Sequence, residues 1–546
     1  MILKRYIETG RNDEFDAIIV GGGITGAAVA YAAANRGLRI VLLEKKDFGG
    51  ATSAATSKLI HGGLRYLANM ELKLVRESLH ERRVLGNIAP NFVYPVPFLL
   101  PSYISWKGNM WKMGIGMYLY DWLSFDKAKT WDKTKRLPNH RIINGSKAIE
   151  MEPGLIKDKL RNATIFYDYQ SIFPERLTLA FIKSAVEYGA QVSNYSEVVS
   201  FISETKGKLD GVMVKDTRSG KTIQIKGKLI INCAGTWADK VLSLALNKEI
   251  ESHKMIRSEG IHVITDKIAN NHVVSLMRKE GGHMMIMPWR GHTLIGTTDK
   301  VYTGDPDKYS VSKESLLEVL DAVNQNFGHK IGYSDIKFAY GGLRPLVDNK
   351  SENSYAASRK YEIYDNAEDG VEGLITVEGG KYTTSRHLAQ SVIELVGRKL
   401  NTKLNDSLTY KLYLSGCEIR DMNEFMKKQH LQYSDFSKET VEYVSRNYGT
   451  ESTHVFELAR TNPAWNKVLT HDGELLAEVV YAIKSEMALT LKDIMLRRTG
   501  TGTLGHPGDE AMMSILNVAS ELLGWDQVKQ QQELDSMLRT FQLPVA

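Results

Sequence analysis

Three glycines and an acid at set spacing are the first residues of this chain whose types could do chemistry. Gly21, Gly23 and Gly26 in GGGITG satisfy G-x-G-x-x-G, with the apolar run Asp16 to Val20 before them and the alanine-rich Ala27 to Arg36 after. Gly21 permits a tight turn, Gly23 lets the backbone approach a pyrophosphate, and Gly26 lets the following helix pack close on its strand. The first N–H groups of that helix hold phosphate. Glu44 closes a second strand, Arg39 to Leu43, about 20 residues on, where a carboxylate accepts from ribose hydroxyls. This is dinucleotide chemistry, and the motif alone leaves FAD and NAD open.

The next segment, KKDFGGATSAATSKLIHGGLRYL, is dense in small and hydroxyl residues from Gly49 to Ser57. It leaves the second strand beside the phosphate turn, where doubly wound sheets bind ligands, so it is expected to be ordered by cofactor. Thr52, Ser53, Ser57, Lys58, His61 and Leu64 are the expected contacts there, with Val198 in GAQVSNYSEVVSF beyond. A further strand, LIINCAGTWADKV, ends on small residues and brings Ala234, Gly235 and Trp237 to the ligand. Neither Gly281-Gly282 nor Gly379-Gly380 completes a second fingerprint. An enzyme that reduces a flavin with NAD needs two such sites. One FAD lying across the sheet, its electrons leaving to a quinone or to oxygen, is the reading that one site supports.

Positioning these residues takes a large chain. The 546 residues predict two to four domains, and a 43% hydrophobic content is ample for their cores. Cys233 and Cys417 cannot build a disulfide framework or a C-x-x-C metal site, which fits a reducing compartment, and no metal is expected. MILKRYIETGRNDEF lacks the apolar core of a signal peptide, and no apolar run approaches the roughly 18 residues of a membrane span. The chain is therefore expected in the cytosol. Its net charge of +6 and pI near 8.8 are mild, and no basic tract suits nucleic acid. Anionic small molecules or anionic lipid headgroups are the expected partners.

Residues 1–15 read as a polar extension, flexible or laid over the surface. Leu72, Val75, Leu79 and Val84 at helical spacing predict a surface helix over Glu71 to Ala89, its charged face solvated. Trp106 to Phe125 is rich in aromatics, and a helix there puts Trp111, Ile115, Tyr118, Leu119 and Trp122 on one face. Such a face suits a core or a bilayer interface, and core packing is the simpler expectation. Lys208 to Ile231 alternates in period two as a hairpin does. The segments HVIT, MMIMPW and TLIGTTD predict a largely antiparallel sheet inserted before GLITVEGGKYTTSRHLAQSVIEL, and from about Leu408 helices take over. The fold class is α/β: a Rossmann-like FAD-binding domain of residues 16–90, 160–250 and 345–400 is expected. A mostly antiparallel substrate domain takes 91–159 and 251–344, and a helical C-terminal domain takes 405–546.

Taken in order, GGGITGAAVA, ATSAATSKLIHGGLRYL, INCAGTWAD, GTTD, GGLRPL and EGGKYTTSR resemble the FAD-dependent glycerol-3-phosphate dehydrogenases of the aerobic bacterial type. The resemblance covers about Asp16 to Arg386, and SKLIHGGLRYL sets it among the flavoproteins similar to glycine oxidase and D-amino-acid oxidase. It implies oxidation of sn-glycerol 3-phosphate to dihydroxyacetone phosphate by hydride transfer to FAD, with electrons passed to a membrane quinone. It implies a peripheral seat on the inner face of the cell membrane, through aromatic and basic surface near Trp106 to Trp131, and allows a homodimer.

The resemblance also assigns the pocket. Phosphate needs guanidinium forks, which Arg344 in GGLRPL, Arg359 in SENSYAASRK and Arg65 beside Tyr66 in GGLRY would supply. A departing alcohol proton needs a base. His262 in Gly260-Ile261-His262-Val263, where isoleucine stands in place of the family's common serine, suits that role better than Arg344, whose guanidinium is poorly suited to take a proton near neutrality. Lys381 would sit near the reactive ring and stabilise its reduced anion, with Gly342, Gly380 and Thr383 as further cofactor contacts. The rival implications are a soluble glycerol-3-phosphate oxidase passing electrons to oxygen and a flavoprotein oxidising an amine or amino acid.

Overall fold

The computed structural model describes residues 1–67, 70–103, 110–247, 255–277, 282–347 and 360–545, and the expectations for Trp106 and Arg359 lie outside them. Its first sheet runs Tyr361–Asp365, Leu374–Gly379, Thr222–Asn232, Glu14–Val20, Ile40–Leu43 and Gln191–Ser193. From Leu374–Gly379 onward these strands are parallel. Strands buried on both faces read as continuous apolar runs, as IIV and IVLL do. Register decides where their ends fall. Val20 lies beside both Asn232 and Leu43, and Asn232 beside Thr376, so the chain leaves all of these strands at one carboxyl edge. The expected hairpin pairs Gly211–Asp216 with Thr222–Asn232.

The helix Ile24–Asn35 follows the glycine turn and is buried from Gly26 to Asn35. Its alanines let it lie between the helices Pro174–Glu187 and Ser385–Lys399 on one face of the sheet. Small side chains there permit close approach on every side.

The second sheet runs Lys300–Tyr302, Ile256–Thr265, His292–Gly296, His283–Trp289, Val273–Met277, Val93–Tyr103, Leu160–Ser171 and Leu59–Ile60, with Ile336–Leu346 also on Ile256–Thr265. Its pairings are antiparallel except Val273–Met277 on Val93–Tyr103. Leu160–Ser171 falls in residues expected with the cofactor domain, yet it pairs along its length with Val93–Tyr103. Leu59–Ile60 joins the same sheet, so the chain crosses between sheets right after the hydroxyl-rich loop. Helices dominate the C-terminal part, from Met422–Gln432 to Gln527–Phe541.

Three expectations are corrected. Residues 1–15 are not loose throughout: Leu3, Arg5 and Tyr6 are buried, and Arg5 pairs with Asp216 at 2.8 Å. The helix Leu72–Ile88 does not leave its charges in water. Glu81 and Arg82 are buried, Glu81 receiving both Nε and Nη2 of Arg386 at 2.8 and 2.6 Å, and Arg82 pairing with Asp168. In the helix Met110–Leu123, Met117, Tyr120 and Leu123 take the core side, whereas Ile115, Tyr118 and Trp122 are 65%, 69% and 70% exposed. Phe125, just beyond, is 67% exposed. The helix carries two apolar stripes, and the second stays mostly exposed although Tyr118 meets the His140 ring edge-on. Among the described residues, no helix is long and apolar enough to cross a membrane.

Breaking a buried pair by removing one partner leaves an uncompensated charge, at a cost of about 3–5 kcal/mol. Glu81→Leu, which strands Arg386, should therefore lower the unfolding midpoint steeply. Glu150→Ala, which removes an exposed pair with Lys147, should change stability by no more than about 0.5 kcal/mol. Denaturation of both variants beside the parent checks the contrast, and equal shifts would refute it.

Candidate active site

The glycine turn is built by exclusion. A Cβ on Gly26 would lie 1.9 Å from the Gly21 carbonyl oxygen, and one on Gly21 would lie 2.6 Å from that of Cys233. Gly21 also holds φ +107, open to glycine alone at little cost. Gly23 is the N-cap of the helix, and Ser53 supplies the capping oxygen it lacks, Oγ accepting the Ile24 N–H at 2.9 Å. The next first-turn N–H groups have no acceptor within the helix, and Thr25 lies in the cavity wall. Glu44 accepts the Gly22 and Lys46 N–H groups at 2.7 and 2.8 Å. Burial pushes its carboxyl up, and these two amides pull it back.

From this turn a single cavity of about 1560 Å³ runs along the carboxyl edge, well above the roughly 300–1,000 Å³ of a drug-sized site. Its wall holds Gly21, Gly23, Glu44, Thr52, Ser53, Ser57, His61, Leu64, Arg65 and Tyr66. It also holds Val198, Ala234, Gly235, Trp237, His262, Gly342, Arg344, Gly380, Lys381 and Thr383. Two expected contacts are elsewhere. Gly26 serves packing behind the turn, and Lys58 is buried on Glu175 at 2.5 Å, outside the wall.

The hydroxyl loop is tied to the second sheet. Thr52 Oγ1 donates to the Leu343 carbonyl at 2.6 Å, Tyr340 Oη donates to that of Thr56 at 2.8 Å, and Ser57 Oγ meets His262 Nε2 at 2.9 Å. His61 Nδ1 accepts the Gly63 N–H at 3.0 Å. Thr52 and Ser57 line the cavity, and with Tyr340 they tie the loop to the second sheet.

At the far end, antiparallel register sets His262 beside Tyr340, Gly260 beside Gly342 and Ser258 beside Arg344. The glycines clear space: a Cβ on Gly260 would lie 2.1 Å from Arg344 Nη2, and one on Gly296 would lie 2.5 Å from His262 Cδ2. Arg344 donates to Thr297 Oγ1 at 2.6 Å and to the Thr298 carbonyl at 3.1 Å, which fixes the plane of its guanidinium. His262 is 1% exposed and stacks on Tyr340, ring centroids 4.9 Å apart. Its Nδ1 is buried and, among the described residues, has no hydrogen-bond partner. Burial, with Arg344 and Lys58 adding to it, pushes the imidazole well below its ordinary range, so it is neutral at pH 7. Lys381 Nζ donates to Ser78 Oγ at 2.8 Å, and it shares the Tyr66 ring with Arg65, at 4.3 and 4.9 Å. This makes a basic corner around one buried tyrosine.

Thr297, Asp299, Tyr309 and His283 also line the cavity, and sequence reasoning did not assign them. Thr297 and Asp299 sit in GTTD, a signal in plain view. Tyr309 and His283 reach the wall through strand pairing and loop course, which no local pattern records.

Residues 16–386 match a family model described as FAD dependent oxidoreductase. Residues 407–530 match one described as the C-terminal domain of alpha-glycerophosphate oxidase. Similar proteins include glycerol-3-phosphate dehydrogenase 2 of Mycobacterium tuberculosis, 31% identical over 94% of this chain and 86% of the relative. Aerobic glycerol-3-phosphate dehydrogenase of Staphylococcus saprophyticus is 29% identical over 95% of this chain and 93% of the relative. Among solved structures, the glycerol-3-phosphate dehydrogenase from Bacillus halodurans complexed with FAD is 25% identical, with a TM-score of 0.77 over 97% of this chain and 95% of that one. Glycine oxidase from Geobacillus kaustophilus, 19% identical with a TM-score of 0.52, shares the fold over 72% of this chain and 97% of its own.

The buried histidine has a consequence for acid stability. Unfolded, its imidazole titrates near 6.5, whereas the folded chain keeps it neutral far below that pH. In between, the unfolded state binds the extra proton, so stability falls as pH drops below about 6.5, by up to about 1.4 kcal/mol per pH unit. His262→Gln should show a smaller loss of urea midpoint between pH 7.5 and 5.5 than the parent. An equal loss would mean that the folded imidazole is charged.

Proposed function

The chain belongs to the FAD-dependent glycerol-3-phosphate dehydrogenase family, and from that premise we propose that its cavity binds FAD along the carboxyl edge and oxidises sn-glycerol 3-phosphate to dihydroxyacetone phosphate at the Arg344 and His262 end. The observation that carries the reading is one continuous cavity from Gly21 and Glu44 to His262, Arg344 and Lys381. The wall suits the group. The turn excludes a Cβ at Gly21 and Gly26, Glu44 supplies an acceptor for a ribose, and Gly235 at φ +55 keeps the opposite wall low. Bound there, FAD supplies a two-electron acceptor.

The residues of the chain bind, orient and move the proton. Arg344, its plane held by Thr297 and Thr298, presents a guanidinium to the substrate phosphate, with Arg65 and Arg359 assisting. His262 takes the hydroxyl proton, because a neutral imidazole has a lone pair to offer where a guanidinium has none. Ser57 Oγ on Nε2 orients that ring. Lys381 and Arg65, gathered on Tyr66, bring positive charge to the wall where negative charge develops.

We assign a membrane quinone as the final acceptor. The cavity ends in an apolar arm lined by Leu67, Met70, Phe98, Leu100, Ile115 and Phe166. Ile115 stands at once in this arm and on the exposed stripe with Tyr118, Trp122 and Phe125. Arg76 lies over the Phe125 ring at 4.4 Å, and Lys73, Lys129, Lys133 and Arg136, near the stripe in sequence, are exposed, a combination that fits a bilayer with anionic lipids on the cytoplasmic face. Oxygen as acceptor is the second reading, favoured by the oxidase description of the family model that matches residues 407–530.

Without oxygen, glycerol 3-phosphate should bleach the flavin absorbance of the purified protein, and glycerol and sarcosine should not. Bleaching by sarcosine alone would move the reading to amine oxidation. Arg344→Ala should lower kcat/KM for flavin reduction by about 10- to 100-fold, as the loss of a charged hydrogen bond predicts. The parent should float with anionic vesicles at low salt, and Tyr118→Ser with Trp122→Ser together should sink. Equal flotation of both would remove the stripe from membrane docking.

A further inference from the structure

No described residue beyond Thr383 lines the cavity, yet the C-terminal helices grip the loop that follows Glu44. Asp47 is 1% exposed, and four protein donors hold its carboxylate. Oδ1 accepts from Arg498 Nη2 at 2.8 Å and from Asn194 Nδ2 at 3.1 Å. Oδ2 accepts from Arg498 Nη1 at 2.8 Å and from Arg497 Nε at 2.6 Å. Arg497 also pairs with Asp493 at 2.5 Å, and Asp493 accepts from Tyr195 Oη at 2.8 Å. Two acids and two guanidiniums thus balance in one dry cluster, the arginines and Asp493 all carried by the π-helical turn Asp493–Arg498.

This cluster adjoins the phosphate turn, with Asp47 and Gly50 reaching the cavity wall and both arginines outside it. The Gly50 N–H donates to the Asp47 carbonyl at 3.1 Å, and the Gly49 N–H donates to that of Gly22 at 2.9 Å. Phe48 is buried against Gly22, where a Cβ would come within 2.8 Å of its ring. Arg497 lies along Gly50, 3.7 Å from where its Cβ would be. Further along the same loop, Ser53 caps the helix Ile24–Asn35. The loop residues that support the glycine turn from this side, Phe48 to Ser53, therefore follow directly on Asp47.

We propose that Asp47 with Arg497 and Arg498 is a latch by which the C-terminal helices hold residues 44–53 against the phosphate turn, and so set the affinity for the adenosine diphosphate half of FAD. These are positioning residues, and the inference rests on the flavin reading above. A support that holds a binding group in its productive geometry controls affinity as the direct contacts do. A buried carboxylate loses its hold when one partner goes.

The test strips FAD from full-length chains and titrates it back by fluorescence, with thermal midpoints recorded without FAD. Asp47→Asn and Arg497→Gln should each raise the FAD dissociation constant at least about tenfold, and Arg498→Lys, which keeps the charge, should restore most of the parent's affinity relative to Arg498→Met. Asp132→Ala is the control, since Asp132 accepts the Met422 N–H at 3.0 Å and ties the C-terminal helices down away from the cavity. It should lower the midpoint yet leave the FAD constant within about twofold of the parent's. Unchanged FAD affinity in Asp47→Asn and Arg497→Gln overturns the latch, whatever their midpoints, and so does a control that weakens FAD as much as they do. Should Asp47→Asn fail to fold, Arg497→Gln, which removes the contacts to Asp47 and Asp493 but leaves Arg498 on Asp47, decides alone. A parent that takes up no FAD overturns the flavin reading itself.

Discussion

The contact on which the rest of this structure depends is the one between Gly26 and Gly21. A methyl group at Gly26 would stand 1.9 Å from the Gly21 carbonyl, so the helix Ile24–Asn35 touches its strand backbone to backbone. That approach aims the helix N-terminus at the carboxyl edge, where Val20, Leu43 and Asn232 end in register. Much of what lines the cavity then enters from loops leaving this edge or from the second sheet. A bulkier turn would tilt the helix and move the phosphate end away from the wall built by Ala234 and Gly235.

Buried ion pairs hold the parts around that edge. Glu81 with Arg386 joins the helix Leu72–Ile88 to the helix after Lys381, and Arg82 with Asp168 joins it to the second sheet. Arg176 with Glu486 and Asp47 with Arg498 join the cofactor domain to the C-terminal helices. Such pairs contribute little net stability over an apolar core, because desolvation offsets much of the attraction. Their effect is geometric: a guanidinium fork accepts one orientation of its carboxylate, and a helix carrying it cannot slide.

The proposed proton acceptor stands in a setting of opposed demands. Burial, Arg344 and Lys58 make the His262 imidazole a weak base, while Arg344, the one of the two cations in the cavity wall, suits a phosphate dianion. An anionic substrate beside Arg344 offsets part of that positive field. On the proposed reading the base is then strongest when substrate is present, which would tie proton transfer to a filled pocket.

The sequence by itself determined the dinucleotide turn, its acid, the strand ends at Ala234 and Gly235, and the helical C-terminal part. Each is written in contiguous residues whose spacing follows from backbone geometry. Most of the residues it assigned do line the wall, since the loop after Glu44 and the motifs GGLRPL and EGGKYTT are local. Only the tertiary structure decided what depends on partners distant in the chain. The charges of Glu81 and Arg82 read as solvated until Arg386 and Asp168 are brought to them. Lys58 read as a cofactor contact until Glu175 claimed it. Ile115, Tyr118 and Trp122 read as core because periodicity reports which residues share a face and says nothing of whether another element covers it. Asp47 carried no signal at all, because its partners lie some 450 residues away in sequence, and only folding brings a carboxylate and two guanidiniums into one dry cluster.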